Sequence, residues 1–89
     1  MTEFSILYTQ EAEERLSAIA RSDPKSARII FDHLGKLPRT YASDPHLSGA
    51  RYAGLRRNRV GKYRAIYRVL EKEREIHILT VALRKSAYD

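Results

Sequence analysis

The 89-residue sequence has no cysteine and no tryptophan. Without cysteine there can be no disulfide scaffold, no thiolate zinc site and no cysteine nucleophile. The three histidines, His33, His46 and His77, show no metal-ligand spacing. Uncharged apolar stretches fall far short of the ~20 residues a membrane span requires. Met1-Thr2-Glu3-Phe4 lacks the basic start and long apolar stretch of a secretory signal. There is no internal repeat and no low-complexity segment. The expectation is a single domain over residues 1–89, soluble and cytoplasmic, with no metal and no cofactor.

What the chain does have is positive charge, unevenly placed. Its formal charge is +6. Residues 1–50 carry six Lys/Arg against seven Asp/Glu, whereas residues 51–89 carry eleven against four. The entire excess lies in the C-terminal part. A hydrophobic fraction of 43% is enough for a folded core, so this charge decorates a globule.

Periodicity orders the elements. Phe4–Tyr8 reads as a short opening strand, apolar on both sides and therefore expected to be buried. Thr9 is placed to cap a helix over about 10–21, with Glu11, Glu13 and Glu14 near its positive end. Ala12, Leu16, Ile19 and Ala20 form its apolar stripe. Asp23 and Pro24 restart the pattern as cap and first helical residue. Ala27, Ile30, Phe31, Leu34 and Leu37 continue it until Pro38, the expected stop. The short joint predicts an antiparallel helical hairpin. Residues 39–50 read as loop, with turn pairs at Asp44-Pro45 and Ser48-Gly49.

From Arg51 the period becomes two. Arg51–Val60 reads as a strand, Gly61-Lys62 as a two-residue type II′ turn, and Tyr63–Leu70 as the return strand. Glu71–Arg74 is a charged turn before a third strand over Glu75–Ala82. Residues 83–89 are too short to assign. The order β-α-α-β-β-β predicts an α+β fold, with the helical hairpin packed on one face of a curved, mainly antiparallel four-stranded sheet.

Residues 51–68 contain seven basic side chains and no acid. If Gly61-Lys62 is the turn, Val60 faces Tyr63, Arg59 faces Arg64, Arg57 faces Ile66 and Leu55 faces Arg68. Cross-strand partners share a face, as do residues two apart. Arg57, Arg59, Arg64 and Arg68 then lie on one face, while Val60, Tyr63, Ala65, Tyr67 and Val69 lie on the helix side. Like charges set opposite one another are destabilising. A polyanion such as RNA or DNA, or an acidic protein segment, would relieve them. Pairing with Glu11, Glu13, Glu71 or Glu73 within the domain is the bland alternative. None of the histidines is expected to be catalytic. His77 alternates with apolar neighbours, and no carboxylate–histidine pair is expected on the arginine face.

The run Gly54-Leu55-Arg56-Arg57-Asn58-Arg59-Val60-Gly61-Lys62-Tyr63-Arg64-Ala65-Ile66-Tyr67 resembles the GLxRxRxGxYRxIY hairpin of the RelE/ParE toxin superfamily. Residues 78–88 resemble its closing strand and tail, and Pro45–Gly49 its stretch before the hairpin. The resemblance implies a toxin of a type II toxin–antitoxin system with a RelE-like fold. RelE-like members are metal-independent endoribonucleases that cut mRNA in the ribosomal A site and so inhibit translation. ParE-like members poison DNA gyrase. The implied partners are a cognate antitoxin with an acidic or amphipathic segment, the ribosome with its mRNA, and operator DNA through the antitoxin complex.

By matched position, the resemblance implies that Arg64 holds the scissile phosphate and Arg84 is the general acid. Arg57 matches a strand position that is basic in active ribonucleases, and Tyr88 corresponds loosely to the C-terminal tyrosine. Arg56, Arg59, Lys62, Arg68 and Lys85 are the further candidates for RNA phosphates. Leu55 departs from the pattern, standing where active ribonucleases carry a second basic residue. Three readings stay open: a ribosome-dependent ribonuclease, a gyrase inhibitor, and a basic binding module without catalysis.

Overall fold

Both helix starts form as their cap residues dictate. In the computed structural model, which describes residues 3–47 and 54–83, Thr9 accepts the Ala12 N–H at the start of α1 (Gln10–Ser22). Asp23 accepts the Ser26 N–H at the start of α2 (Pro24–Gly35), with Pro24 in the first turn. These bonds satisfy donors that no preceding helical turn can reach. The Ser26 hydrogen bonds hold the Asp23 carboxyl below its ordinary range.

The helix predicted to reach Leu37 ends two residues earlier. The Lys36 N–H turns back to the carbonyls of His33 and Leu34. A second short helix, α3 (Leu37–Thr40), then begins, with Pro38 in its first turn. Proline lacks an N–H, which costs nothing there, so Pro38 opens a helix instead of closing one. A 3₁₀ turn, Tyr41–Ser43, follows. Much of the segment expected as loop is thus helical.

The sheet contains β1 (Ser5–Tyr8), β2 (Leu55–Val60), β3 (Tyr63–Leu70) and β4 (Glu75–Leu83), in the order β1-β4-β3-β2. The β2–β3 register is the predicted one, from Leu55 opposite Arg68 to Val60 opposite Tyr63. Gly61 alone of the two turn residues has positive φ (59°), as a type II′ turn requires. The N-terminal part of the predicted strand, residues 51–53, lies outside the described residues, as do residues 48–50.

Two features of the sheet depart from expectation. β1 pairs with β4 in parallel and stands at the sheet edge, with Leu7 44% exposed, so the predicted burial fails. One covered face is enough to make such a short strand apolar. Between Ile66 and Tyr67 the β3–β4 register also shifts, leaving Leu79 as an extra residue in β4. Thr9 secures this bulge, its N–H donating to the Ile78 carbonyl and its hydroxyl to that of Leu79. The same residue therefore caps α1 and ties it to β4.

The core lies between the helices and one sheet face. Ile19, Ile30, Leu34 and Leu37 meet Val60, Ala65, Tyr67, Ile76, Ile78 and Val81 there. The predicted stripes hold except at Ala20 and Phe31. Phe31 is 61% exposed and stacks on Tyr8 with ring centroids 6.4 Å apart. Both residues line an open groove of about 660 Å³ along the outer side of the hairpin. Among the described residues no helix is long and apolar enough to cross a membrane.

Leu34 is fully buried, so Leu34→Ala should cost about 2–5 kcal/mol through lost contacts and a residual cavity. Urea or thermal denaturation will read this as a large share of the ~5–15 kcal/mol available to a small fold.

Candidate nucleic-acid interface

The alternation of β2 and β3 separates their side chains. Val60, Tyr63, Ala65 and Tyr67 join the core, and the opposite face receives Arg57, Arg59, Arg64 and Arg68. The four predicted arginines therefore share a face, but their environments differ. Arg59 and Arg68 are exposed, and Arg57 is partly buried. Arg64 retains only 4% of its surface, beside Ile66 at 1% and Thr80 at 1%. The arginine face is thus open towards its ends and closed at its middle. Arg64 lies between Arg59 on β2 and Ala82 on β4. Leu55, the departure from the ribonuclease pattern, is itself buried on this face.

The acids expected as internal partners include two that are occupied elsewhere. Glu11 pairs with Arg15 at 3.5 Å, and Glu71 accepts the Tyr41 hydroxyl. The latter bond, together with burial, raises the Tyr41 hydroxyl above its ordinary pKa.

Arg56 points away from the arginine face. Its guanidinium donates to the carbonyls of Tyr41 (3.1 Å) and Asp44 (2.9 Å) and lies 5.5 Å from the centre of the Tyr41 ring. As a result it anchors the preceding segment instead of joining Arg57. Lys62 occupies the exposed turn, with its ammonium 5.8 Å from the Tyr63 ring centre. Arg84, Lys85 and Tyr88 lie outside the described residues.

The segment before β2 is held by a polar network that periodicity does not reveal. Asp44 accepts from Asn58 Nδ2 and from the Tyr67 hydroxyl, while its backbone carbonyl takes Arg56. The Arg57 N–H donates to the Pro45 carbonyl and the Leu47 N–H to the Leu55 carbonyl. Residues 45–47 are thereby strapped along the outer edge of β2. A groove of about 300 Å³ runs between this strap and the strand, lined by Asp44, Pro45, Arg57, Asn58 and Arg59. The Arg57 Nε is buried there without a hydrogen-bond partner, a cost of the kind a bound anion would relieve.

At the other end of the same face is a pair the sequence reading excluded. His77 is opposite Arg68 in the β3–β4 register, and Glu75 is two residues before it. Both therefore project on the arginine side. His77 Nε2 lies 2.9 Å from Glu75 Oε1, with both groups about one-third exposed. Parity within the hairpin does not reveal the pair, because the face of His77 is set by the β3–β4 pairing. Among the described residues no cluster of three or more His, Asp or Glu is arranged to hold a metal ion.

The family model described as "ParE toxin of type II toxin-antitoxin system, parDE" matches residues 6–88. The fold is similar to a chain of the toxin–antitoxin complex RelBE2 from Mycobacterium tuberculosis, with TM-score 0.79 and 23% identity over 93% of this chain and 100% of that one. It is also similar to the YoeB/ParE toxin from Agrobacterium tumefaciens, with TM-score 0.78 and 19% identity over 91% and 99%. The chromosomal ParDE system of P. aeruginosa gives TM-score 0.71 and 20% identity over 90% and 95%. No curated protein sequence matches.

Burial first, and the Asp44 contact second, push the Tyr67 hydroxyl well above its ordinary pKa. The folded state thus keeps a proton that the unfolded chain releases above about pH 10. That stability is present below the ordinary tyrosine range and is lost as pH rises beyond it. Tyr67→Phe should cost about 1–2 kcal/mol at neutral pH, since Asp44 loses a donor. It should also make the alkaline decline in melting temperature shallower than in the wild type.

Proposed function

Because the chain belongs to the ParE toxin family, within the RelE/ParE superfamily of type II toxin–antitoxin systems, we propose that it is a ribosome-dependent endoribonuclease that cuts mRNA. The observation that carries this reading is the alignment of Arg57, Arg59, Arg64 and Arg68 on the sheet face away from the helices. Guanidinium groups form paired hydrogen bonds with phosphate oxygens and keep their charge at any physiological pH. A row of them suits an extended phosphodiester backbone. The strap along β2 supports the reading by adding a groove beside Arg57 and Arg59.

Cleavage by the RNA's own 2′-hydroxyl needs a proton acceptor, charge stabilisation at phosphorus and a proton for the leaving 5′-oxygen. The arginines supply the second of these by electrostatics already in place before the reaction. Seating on the ribosome adds positioning, which lowers the barrier without a group of the toxin's own. By matched position Arg64 serves the phosphate and Arg84 the leaving group, and Tyr88 corresponds loosely to the family's C-terminal tyrosine.

A second reading, a gyrase inhibitor, is favoured by two observations. The matching family model is that of ParE, and Leu55 is buried where the ribonuclease pattern has a basic residue. Inhibition of gyrase by occupancy needs no acid–base pair. The partner in either case is an antitoxin whose acidic or amphipathic segment covers the cationic face. RelBE2, to which the fold is similar, is itself a toxin–antitoxin complex.

Purified protein added to programmed ribosomes should cut mRNA, and Arg64→Ala or Arg84→Ala should each lower the rate at least about tenfold. Intact mRNA, with gyrase supercoiling inhibited and cleaved DNA accumulating, would replace the first reading by the second. Affinity for free RNA should fall steeply with salt as counterion release weakens. Co-expression with the adjacent open reading frame should restore growth and yield a co-purifying complex.

A further inference from the structure

Away from the arginine face, the helical layer carries an apolar groove of about 660 Å³ that the proposed function leaves unused. Glu13, Leu16 and Ala20 line it from α1, and Ala27, Arg28 and Phe31 from α2. Residues three, four or seven apart share one side of a helix, so each set is a single stripe about 10 Å long. The two stripes run in opposite directions. Tyr8, two residues before α1, stacks on Phe31, seven residues beyond the start of α2. Glu13 and Phe31 therefore stand at one end of the groove, and Ala20 with Pro24 at the other.

The two ends complement each other. The Phe31 ring, 61% exposed, rises from the first end, while the small side chain of Ala20 leaves a hollow at the second. Glu13 and Arg28 are exposed on opposite walls. Among the described residues neither has an ion-pair partner within the chain. An exposed apolar patch with a polar rim is the mark of a protein contact. Here the knob and the hollow, and the acid and the base, belong to the same patch. A two-fold contact between identical copies requires that self-complementarity.

The distribution of charge favours the same occupant. Residues 1–50, which supply the helices, carry six Lys/Arg and seven Asp/Glu. A contact from helix layer to helix layer thus joins nearly neutral surfaces. The arginine face instead repels a second copy of itself, and it draws an acidic segment towards the sheet and away from this groove.

We propose that the groove is a contact between two copies of the chain, related by a two-fold axis through its middle. That axis lays α1 of each copy over α2 of the other. Phe31 then enters the Ala20–Pro24 end of the second copy's groove, and Glu13 comes within about one helical turn of the second copy's Arg28. Ala20 and Ala27 let the helices approach to the usual ~8–10 Å. Every contact occurs twice, so one substitution alters the interface in two places. The sheets stay on the outside, with both arginine faces open to their target, whether that is RNA or gyrase. So short a groove gives an interface at the small end of the specific range, and the dimer forms and dissociates with concentration.

Sedimentation equilibrium of the full-length protein, at physiological ionic strength and up to ~1 mM, tests the contact. The expected result is a monomer–dimer equilibrium. Glu13→Arg and Arg28→Glu should each weaken it about tenfold or more, because like charges then meet twice, and the double variant should recover the wild-type constant. A monomer at every concentration overturns the proposal. So does an association that ignores both reversals, or a double variant as weak as either single one. If a reversal does not fold by circular dichroism, Phe31→Gln decides, with loss of the dimer in support and an unchanged dimer against. A protein that is monomeric alone and protects Phe31 only in complex with the product of the adjacent reading frame assigns the groove to that partner, and so overturns the second copy. None of these readouts involves mRNA or gyrase, so failure here is distinct from failure of the proposed function.

Discussion

The two-residue alternation of β3, locked between β2 and β4, is the constraint on which the rest of the protein depends. Ala65 and Tyr67 enter the core while Arg64, Ile66 and Arg68 project the other way. A slip of one residue would drive arginines under the helices and expose the core. Burying unpaired guanidinium groups costs several kcal/mol each, a large part of what such a small fold has in reserve. Charge and hydrophobicity therefore oppose the same slip. The glycine turn at 61 and the paired strand on either side hold the register that this penalty selects.

The helices are tied to that sheet at a few points. Thr9 joins the start of α1 to the bulge in β4 through both its backbone and its hydroxyl. On the far side, Asp44 gathers Asn58 and Tyr67, and Arg56 takes two carbonyls of the same segment. Most of these groups are partly buried, so leaving any one unmade costs more than making it returns. The consequence for function is the strap over the β2 edge. It closes that edge to other strands and forms one wall of the groove next to Arg57.

Membership of the toxin family assigns the basic face a biological setting without choosing its target. The physical arrangement bears on that choice. Arg64 is almost enclosed, while Arg59 and Arg68 are open. A polyanion approaching the face therefore meets its ends more readily than its middle. One end offers the strap groove and the other the Glu75–His77 pair, so the face is better described as two contact regions joined by a shielded row.

Much of the architecture was legible in the chain. Helix caps at Thr9 and Asp23, the hairpin register and the sorting of four arginines to one face follow from local chemistry and strand parity. Pro38 misled because proline is compatible with a helix start as well as with a helix end, and local sequence does not decide between them. The burial of Arg64, the strap made by Asp44 and the meeting of His77 with Arg68 were not legible. Each depends on which strand lies next to which, and on a bulge that changes the register between β3 and β4. The sequence by itself determined the two long helices, the four strands, the faces of the hairpin and the charge that marks one of them. Only the tertiary structure decided which parts of that face are open and what stands beside each arginine, because neighbours across a sheet are set by strand order, which no local pattern encodes.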